Sequence, residues 1–195
     1  MARTIFLARH GETEWNRLGR WQGATDIPLS EVGRAQARAL GDRLRGRGIG
    51  AAYASDLSRA HETATIIAGM LGLAAPAADA RLRERGYGRF EGLTREECEA
   101  RFPEVWAQYL ADRRATPPEA EPQSEIIARA TTALHDIATG TADGASVLVI
   151  SHGGTIRSFT SAAIGVVLPP IENGSVFRVR FEDGKFVSAQ ICDDF

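Results

Sequence analysis

Apolar and polar positions along this chain follow two rhythms. Short apolar runs recur at Thr4–Ala8, Ala51–Ala54 and Val147–Ile150, with a weaker one at Ala77–Ala78, and a late pair of candidate strands, Val176–Phe181 and Phe186–Ile191, mixes apolar with polar positions. Runs of this length, bounded by glycine or charge, predict buried strands. Between them lie stripes at helical spacing. Ser30 can cap a helix whose face runs Val32, Ala35, Ala39, Leu40 and Leu44, with Gly46 and Gly48 near its end. A second helix starts near Ser58 and shows Ala60, Ala64, Ile67, Ala68 and Leu71 before Gly72. A third carries Ile126, Ile127, Ala130, Ala133, Leu134 and Ile137. Thr94–Leu110 predicts one or two short helices interrupted before Pro103, and Thr116–Pro122, rich in proline and glutamate, predicts an extended loop. Strands alternating with helices imply an α/β three-layer sandwich, a mainly parallel central sheet with helices on both faces. Glu182-Asp183-Gly184-Lys185 adds a C-terminal antiparallel hairpin, because Asp-Gly supplies the positive φ of a tight turn. The outer strand of that hairpin is a candidate edge for a homodimer.

Length and composition narrow the picture further. The 195 residues suit one well-buried core, so 1–195 is expected to form a single domain. Residues 91–122 are then a helical and loop insertion over the strand ends, since neither flank is large enough to stand alone. The 44% apolar and 25% charged content is that of an ordinary globular domain. A net charge of −2 argues against nucleic acid as a partner. No apolar run approaches the ~18 residues that span a membrane, and Met1-Ala2-Arg3-Thr4 opens no signal peptide. Cys98 and Cys192 form no CxxC pair, which fits reduced thiols and a cytoplasmic location. All 23 basic residues except Lys185 are arginine, so a single arginine carries little information.

The chemistry sits where two strands end. Ile5-Phe6-Leu7-Ala8 runs into Arg9-His10-Gly11-Glu12, and Val147-Leu148-Val149-Ile150 runs into Ser151-His152-Gly153-Gly154. Open α/β sheets bind ligands outside the carboxyl ends of their strands, which puts both histidines at the mouth of one expected pocket. Two imidazoles beside arginine suit an anion that is handled covalently, and phosphate is the commonest such anion. Arg59 falls in the first turn of the Ser58 helix, where a cation is disfavoured by a few tenths to ~1 kcal/mol unless an anion occupies the same helix end. Glu84, among arginines in Leu82-Arg83-Glu84-Arg85, is either a surface ion pair or a general acid that protonates a leaving oxygen. His61 and His135 read as solvent-facing. Zinc held by His10, His152 and Glu84 would face the cations Arg9 and Arg59, so no metal is expected.

The run Arg9-His10-Gly11-Glu12-Thr13-Glu14-Trp15-Asn16 resembles the signature of the histidine phosphatase superfamily, in its phosphoglycerate mutase-like branch. Further blocks resemble that family in order along almost the whole chain. These are Gly19-Arg20-Trp21-Gln22-Gly23 with Asp26-Ile27-Pro28-Leu29, Ser55-Asp56-Leu57-Ser58-Arg59-Ala60 with Thr63-Ala64, Leu82-Arg83-Glu84 with Gly88 and Glu91-Gly92, and Ser151-His152-Gly153-Gly154 with Arg157. The resemblance implies that His10 takes up the phosphoryl group and that Glu84 is the proton donor. It implies that Arg9, Arg59 and His152 grip the non-bridging oxygens, with Asn16, Gln22, Gly23 and Gly153 binding at the pocket edge. No metal or organic cofactor would be needed, and the partner would be a small phosphorylated metabolite.

Within that family the phosphoryl group goes to water in a phosphatase and to a second substrate oxygen in a mutase. The Gly19–Gly23 loop is similar to the phosphatase version, and mutases tend to carry a histidine where this chain has Gly86. Tyr87 and the Arg113-Arg114 pair resemble mutase contacts to a substrate carboxylate, which keeps a cofactor-dependent phosphoglycerate mutase as the alternative. Ala120-Glu121-Pro122 departs from the family's Gly-Glu-Ser and makes Glu121 a candidate pocket residue. A catalytically silent phospho-ligand-binding protein would be expected to lose one of His10, Arg9, Arg59, His152 or Glu84, and all five are present.

Overall fold

The computed structural model describes residues 2–112 and 116–192. Six strands form one sheet in the order β3-β2-β4-β1-β5-β6: β1 (Arg3–Arg9), β2 (Ile49–Ala54), β3 (Ala77–Ala78), β4 (Ser146–Ser151), β5 (Val176–Glu182) and β6 (Lys185–Ile191). The first four are mutually parallel, and β5 and β6 run antiparallel as the C-terminal hairpin. The hairpin turn has Asp183 at φ 49° and Gly184 at φ 77°, the two positive values that Asp-Gly was expected to supply. Seven α-helices are described: α1 (Glu14–Arg17), α2 (Glu31–Arg43), α3 (Ser58–Leu71), α4 (Arg95–Arg101), α5 (Pro103–Ala111), α6 (Gln123–Gly140) and α7 (Gly153–Ala163). None of them is long and apolar enough to cross a membrane.

Strand alternation divides the core into two layers. Along β1, Ile5 and Leu7 face α6 and α7 together with Val147, Val149, Leu134 and Phe159, whereas Phe6 and Ala8 face α2 and α3 together with Leu148, Ile150, Leu40 and Ile67. Both faces of the central strands are covered, which is why they read as continuous apolar runs rather than as an alternation. A third cluster, Phe90, Cys98, Trp106 and Tyr109 with Trp21 and Tyr87 against it, fastens α4 and α5 over the carboxyl ends of the strands. The break between α4 and α5 falls at Pro103, the first residue of α5.

The short helix α1 is absent from the sequence reading, and two longer elements also differ from it. The buried face of α2 is Gly33, Ala37, Leu40 and Gly41, while Val32, Ala35 and Ala39 are exposed. Glycine carries no hydrophobic weight, so the stripe was read about 100° away. A methyl group on Gly33 would lie 2.1 Å from the Glu12 carbonyl oxygen, and one on Gly11 would lie 2.3 Å from the Gly33 carbonyl oxygen. The loop after β1 thus presses directly on the first turn of α2, which fixes the chain that follows His10. Helix α7 is the other difference. Serine and threonine dilute its apolar stripe to Ile156 and Phe159, and the sequence reading contains no helix there.

Candidate active site

The sheet order explains how histidines 142 positions apart meet. β1 and β4 are neighbours in parallel register, with Ala8 beside Ile150 and Arg9 beside Ser151, so His10 and His152 leave the sheet side by side. The His10 amide donates to the Ser151 carbonyl at 3.1 Å, and the two rings lie 5.0 Å apart between centroids, inclined at 60°. Arg9, His10, Asn16, Gln22, Gly23, Arg59, Glu84 and Gly153 all line one cleft of about 730 Å³. His152 is wholly buried against His10. The residues named for catalysis, phosphate binding and the pocket edge are thus brought to one place. His10 itself is 3% exposed, at the floor of the cleft rather than at its mouth, because the short β1–α1 connection carries it inward. Arg113 and Arg114 lie outside the described residues.

Each side chain is held by something specific. His10 Nδ1 lies 2.6 Å from the Gly11 carbonyl oxygen. A carbonyl only accepts, so Nδ1 carries the proton and Nε2 keeps a free lone pair. The Gly11 amide donates to Thr63 Oγ1 at 3.1 Å, and Thr63 sits one turn along α3 from Arg59. Arg59 Nη1 and Nη2 donate to the carbonyls of Thr25 and Gly23, each at 2.8 Å, and Arg9 Nη1 donates to the Ile171 carbonyl. Gly23 has φ 54°, and a Cβ there would lie 2.0 Å from the Glu91 carboxylate, which gathers the amides of Ala24, Thr25 and Tyr87. Thr13 Oγ1 donates to Gln22 Oε1 at 2.9 Å, and Asn173 Nδ2 donates to both the His10 carbonyl and Asn16 Oδ1.

Glu84 is neither a surface ion pair nor exposed. Its carboxylate accepts from the Gly154 amide at 2.9 Å and the Thr155 amide at 3.0 Å, at the start of α7, and from its neighbour Arg85 at 2.9 Å. Sequence reasoning missed this seat because it did not foresee α7. The expectation of a free helix end beside Arg59 is also corrected. Asp26 reaches across to cap α3, its Oδ1 accepting from the Ser58 amide at 2.8 Å, so Arg59 serves the site through its guanidinium alone. Glu121 lines a neighbouring recess of about 420 Å³ and pairs with Arg129 instead of entering the main cleft. His135 is exposed as read, whereas His61 is half-buried.

Electrostatics gives the site its character. Burial first, and then Arg9 and Arg59, hold His10 well below the usual histidine value. Burial, Arg59, His10 and Arg9 do the same for His152. Arg59 is lowered to about 10 by desolvation, which still leaves it charged at neutral pH. Buried Arg9 Nε, Arg59 Nε and both ring nitrogens of His152 have no hydrogen-bond partner among the described residues. Orphaned buried polar groups are costly, and two guanidinium Nε–H donors with the one N–H donor of a neutral His152 fit an anion with several oxygens.

A pH dependence of stability follows. With both histidines neutral when folded and able to protonate near pH 6.5 when unfolded, the unfolded chain binds more protons below that pH. Stability is therefore expected to fall on acidification from about pH 6.5, by up to about 1.4 kcal/mol per pH unit for each histidine. Bound inorganic phosphate should flatten the slope, because a nearby anion favours protonation of the histidines in the folded state as well. Thermal unfolding between pH 7.5 and 5.5 checks this, and an unchanged slope in His152→Asn would contradict it.

Residues 5–194 match the sequence model of the histidine phosphatase superfamily (branch 1). Phosphoglycerate mutase-like protein 4 of Arabidopsis thaliana is 36% identical, covering 97% of this chain and 84% of the relative. Among solved structures, Bacillus stearothermophilus YhfR superposes with a TM-score of 0.86 at 33% identity, covering 99% of this chain and 98% of the other. A mycobacterial glucosyl-3-phosphoglycerate phosphatase superposes with a TM-score of 0.85 at 28% identity, covering 98% and 97%. With paired histidines at the ends of adjacent parallel strands and a match over nearly its whole length, the chain belongs to the histidine phosphatase superfamily.

Proposed function

We propose that this protein is a phosphomonoester hydrolase that works through a phosphohistidine at His10. The observation that carries the reading is the convergence of His10, His152, Arg9 and Arg59, with their unpartnered nitrogens, on one small basin. Phosphoryl transfer asks mainly for positioning and charge stabilisation, and guanidinium groups on the equatorial oxygens supply both without a metal. In the first step His10 Nε2 bonds to phosphorus in line with the ester oxygen. The P–O bond breaks, and the departing oxygen takes its proton from Glu84. The ring cation that forms keeps its Nδ1–H on the Gly11 carbonyl. In the second step water gives its proton to Glu84 as its oxygen bonds to phosphorus, the P–N bond breaks, and phosphate leaves with His10 restored.

Hydrolysis is preferred over mutase chemistry on two features. The Gly19–Gly23 loop resembles the phosphatase version, and Gly86 lies against Glu121 with no side chain to direct into the cleft. Arg95 and Arg157, exposed on the cleft lip beside Val167 and Leu168, favour a small metabolite that carries a second acidic group besides its phosphate. A phosphate-release screen over sugar phosphates, phosphoglycerate-type acids and nucleotides tests the reading, run beside 3-phosphoglycerate with bisphosphoglycerate. Phosphate release is the expected outcome; interconversion of phosphoglycerates without net release would make it a mutase. Turnover of neither would leave a binding protein.

Glu84→Gln tests the proton donor. Esters with poor leaving groups should slow by roughly 10²–10⁴-fold, whereas activated aryl esters should be nearly unaffected. Equal losses across a leaving-group series would remove Glu84 from that role.

A further inference from the structure

Glu84 stands on a segment that regular structure does not hold. Residues 83–87 are irregular, between two single-turn 3-10 helices at Ala80–Leu82 and Gly88–Phe90. The carbonyls along this stretch have no sheet ladder to enter. One guanidinium from α6 collects them. Arg129 Nη1 donates to the carbonyls of Arg81 at 2.8 Å and Arg83 at 2.7 Å, and Nη2 donates to the Glu84 carbonyl at 3.1 Å. Its other edge grips Glu121 in a bidentate pair, Nε to Oε1 at 2.6 Å and Nη2 to Oε2 at 2.8 Å.

Glu121 then holds the far side of the same segment. Its Oε2 accepts from the Gly86 amide at 3.2 Å, its amide donates to the Gly86 carbonyl at 2.8 Å, and its carbonyl accepts from Arg85 Nε at 2.8 Å. Backbone on both sides of Glu84 is therefore fastened to one ion pair. Arg129 precedes Ala130, which is wholly buried in the core, so the clamp is anchored on a rigid helix. Neither Arg129 nor Glu121 lines the main cleft, and neither can touch a phosphate seated there. A planar five-donor fork suits this task, since it can satisfy carbonyls and a carboxylate in one plane, which an ammonium cannot do.

We propose that Arg129, locked by Glu121, is a positioning residue for the proton donor. It sets the height of the Arg83–Gly86 backbone so that the Glu84 carboxyl, steered by the Gly154 and Thr155 amides, reaches the ester oxygen. The inference rests on Glu84 being the proton donor, and the experiment separates the two. kcat/KM is measured over a series of phosphate monoesters of rising leaving-group pKa for wild type, Arg129→Met, Glu84→Gln and the double variant, at a temperature where each is folded by circular dichroism. Arg129→Met should slow poor leaving groups by about tenfold or more and activated esters hardly at all. In the Glu84→Gln background that loss should vanish, because there is no longer a proton to position. Arg129→Lys should not restore the wild-type leaving-group slope. If Arg129→Met does not fold, Glu121→Gln carries the same test, with a smaller loss and the same leaving-group bias. A loss that is uniform across leaving groups, or that adds to the loss of Glu84→Gln, makes the clamp merely structural and overturns the inference. A flat leaving-group response in Glu84→Gln alone overturns the proton-donor assignment and the clamp's role with it.

Discussion

Replacing His10 with alanine is expected to lower turnover of a phosphate monoester by roughly 10⁴-fold or more, with the fold retained. In the proposed mechanism His10 is the only group that bonds to phosphorus, so its loss removes both chemical steps and leaves only binding. The fold should survive because the side chain contributes little to stability. Its one hydrogen bond runs to the adjacent Gly11 carbonyl, and its ring is desolvated between two arginines. The acid-side loss of stability should shrink in the same variant, since one of the two buried neutral histidines is gone. Quenched-flow labelling with a radioactive monoester offers a direct reading. Wild type should carry acid-labile, base-stable label, and the variant none. Near wild-type turnover in His10→Ala would end the phosphohistidine reading.

Arg59→Met should lower kcat/KM by about 10³-fold, the scale seen when one preorganised donor to a developing charge is removed. Its effect on stability should be much smaller. Arg59 is 1% exposed and makes no ion pair among the described residues, so removing it relieves a desolvated cation. Against that, the carbonyls of Gly23 and Thr25 lose their donors, at about 1–3 kcal/mol each. The two effects oppose one another, so the unfolding free energy should move by no more than about 2 kcal/mol. Arg59→Lys should not rescue activity, because a compact ammonium lacks the planar fork that reaches two separate carbonyls and the phosphate at once. Calorimetry with inorganic phosphate separates binding from folding. Undiminished phosphate affinity in Arg59→Met would show that the guanidinium does not face the anion.

Much of the architecture was legible because the central strands are buried on both faces. Ile5–Ala8 and Val147–Ile150 need no partner information to be recognised as core, and the Asp-Gly turn announces the hairpin. The helices were less uniformly readable. α3 and α6 show clean stripes of alanine, isoleucine and leucine. α2 buries two glycines beside Ala37 and Leu40, and α7 buries threonine and serine beside Ile156 and Phe159, so only part of each buried face is written in hydrophobic residues. The site residues were visible as residue types at strand and helix ends. Their partners were not: Asn173 on His10, Asp26 on α3, and the Gly154 and Thr155 amides on Glu84 are contacts between segments far apart in sequence.

By itself the sequence determined the central strands, the longer helices α3 and α6 and which chemistry-bearing residue types stand at strand and helix ends, because local periodicity and side-chain type are properties of short segments. Only the tertiary structure decided that β1 and β4 are neighbours, which brings two imidazoles within 5.0 Å, and that burial rather than the solvent sets their charge. It also decided that Arg129 holds the segment bearing Glu84. Strand adjacency and desolvation depend on how the whole chain closes around its core, and no window of sequence contains that information.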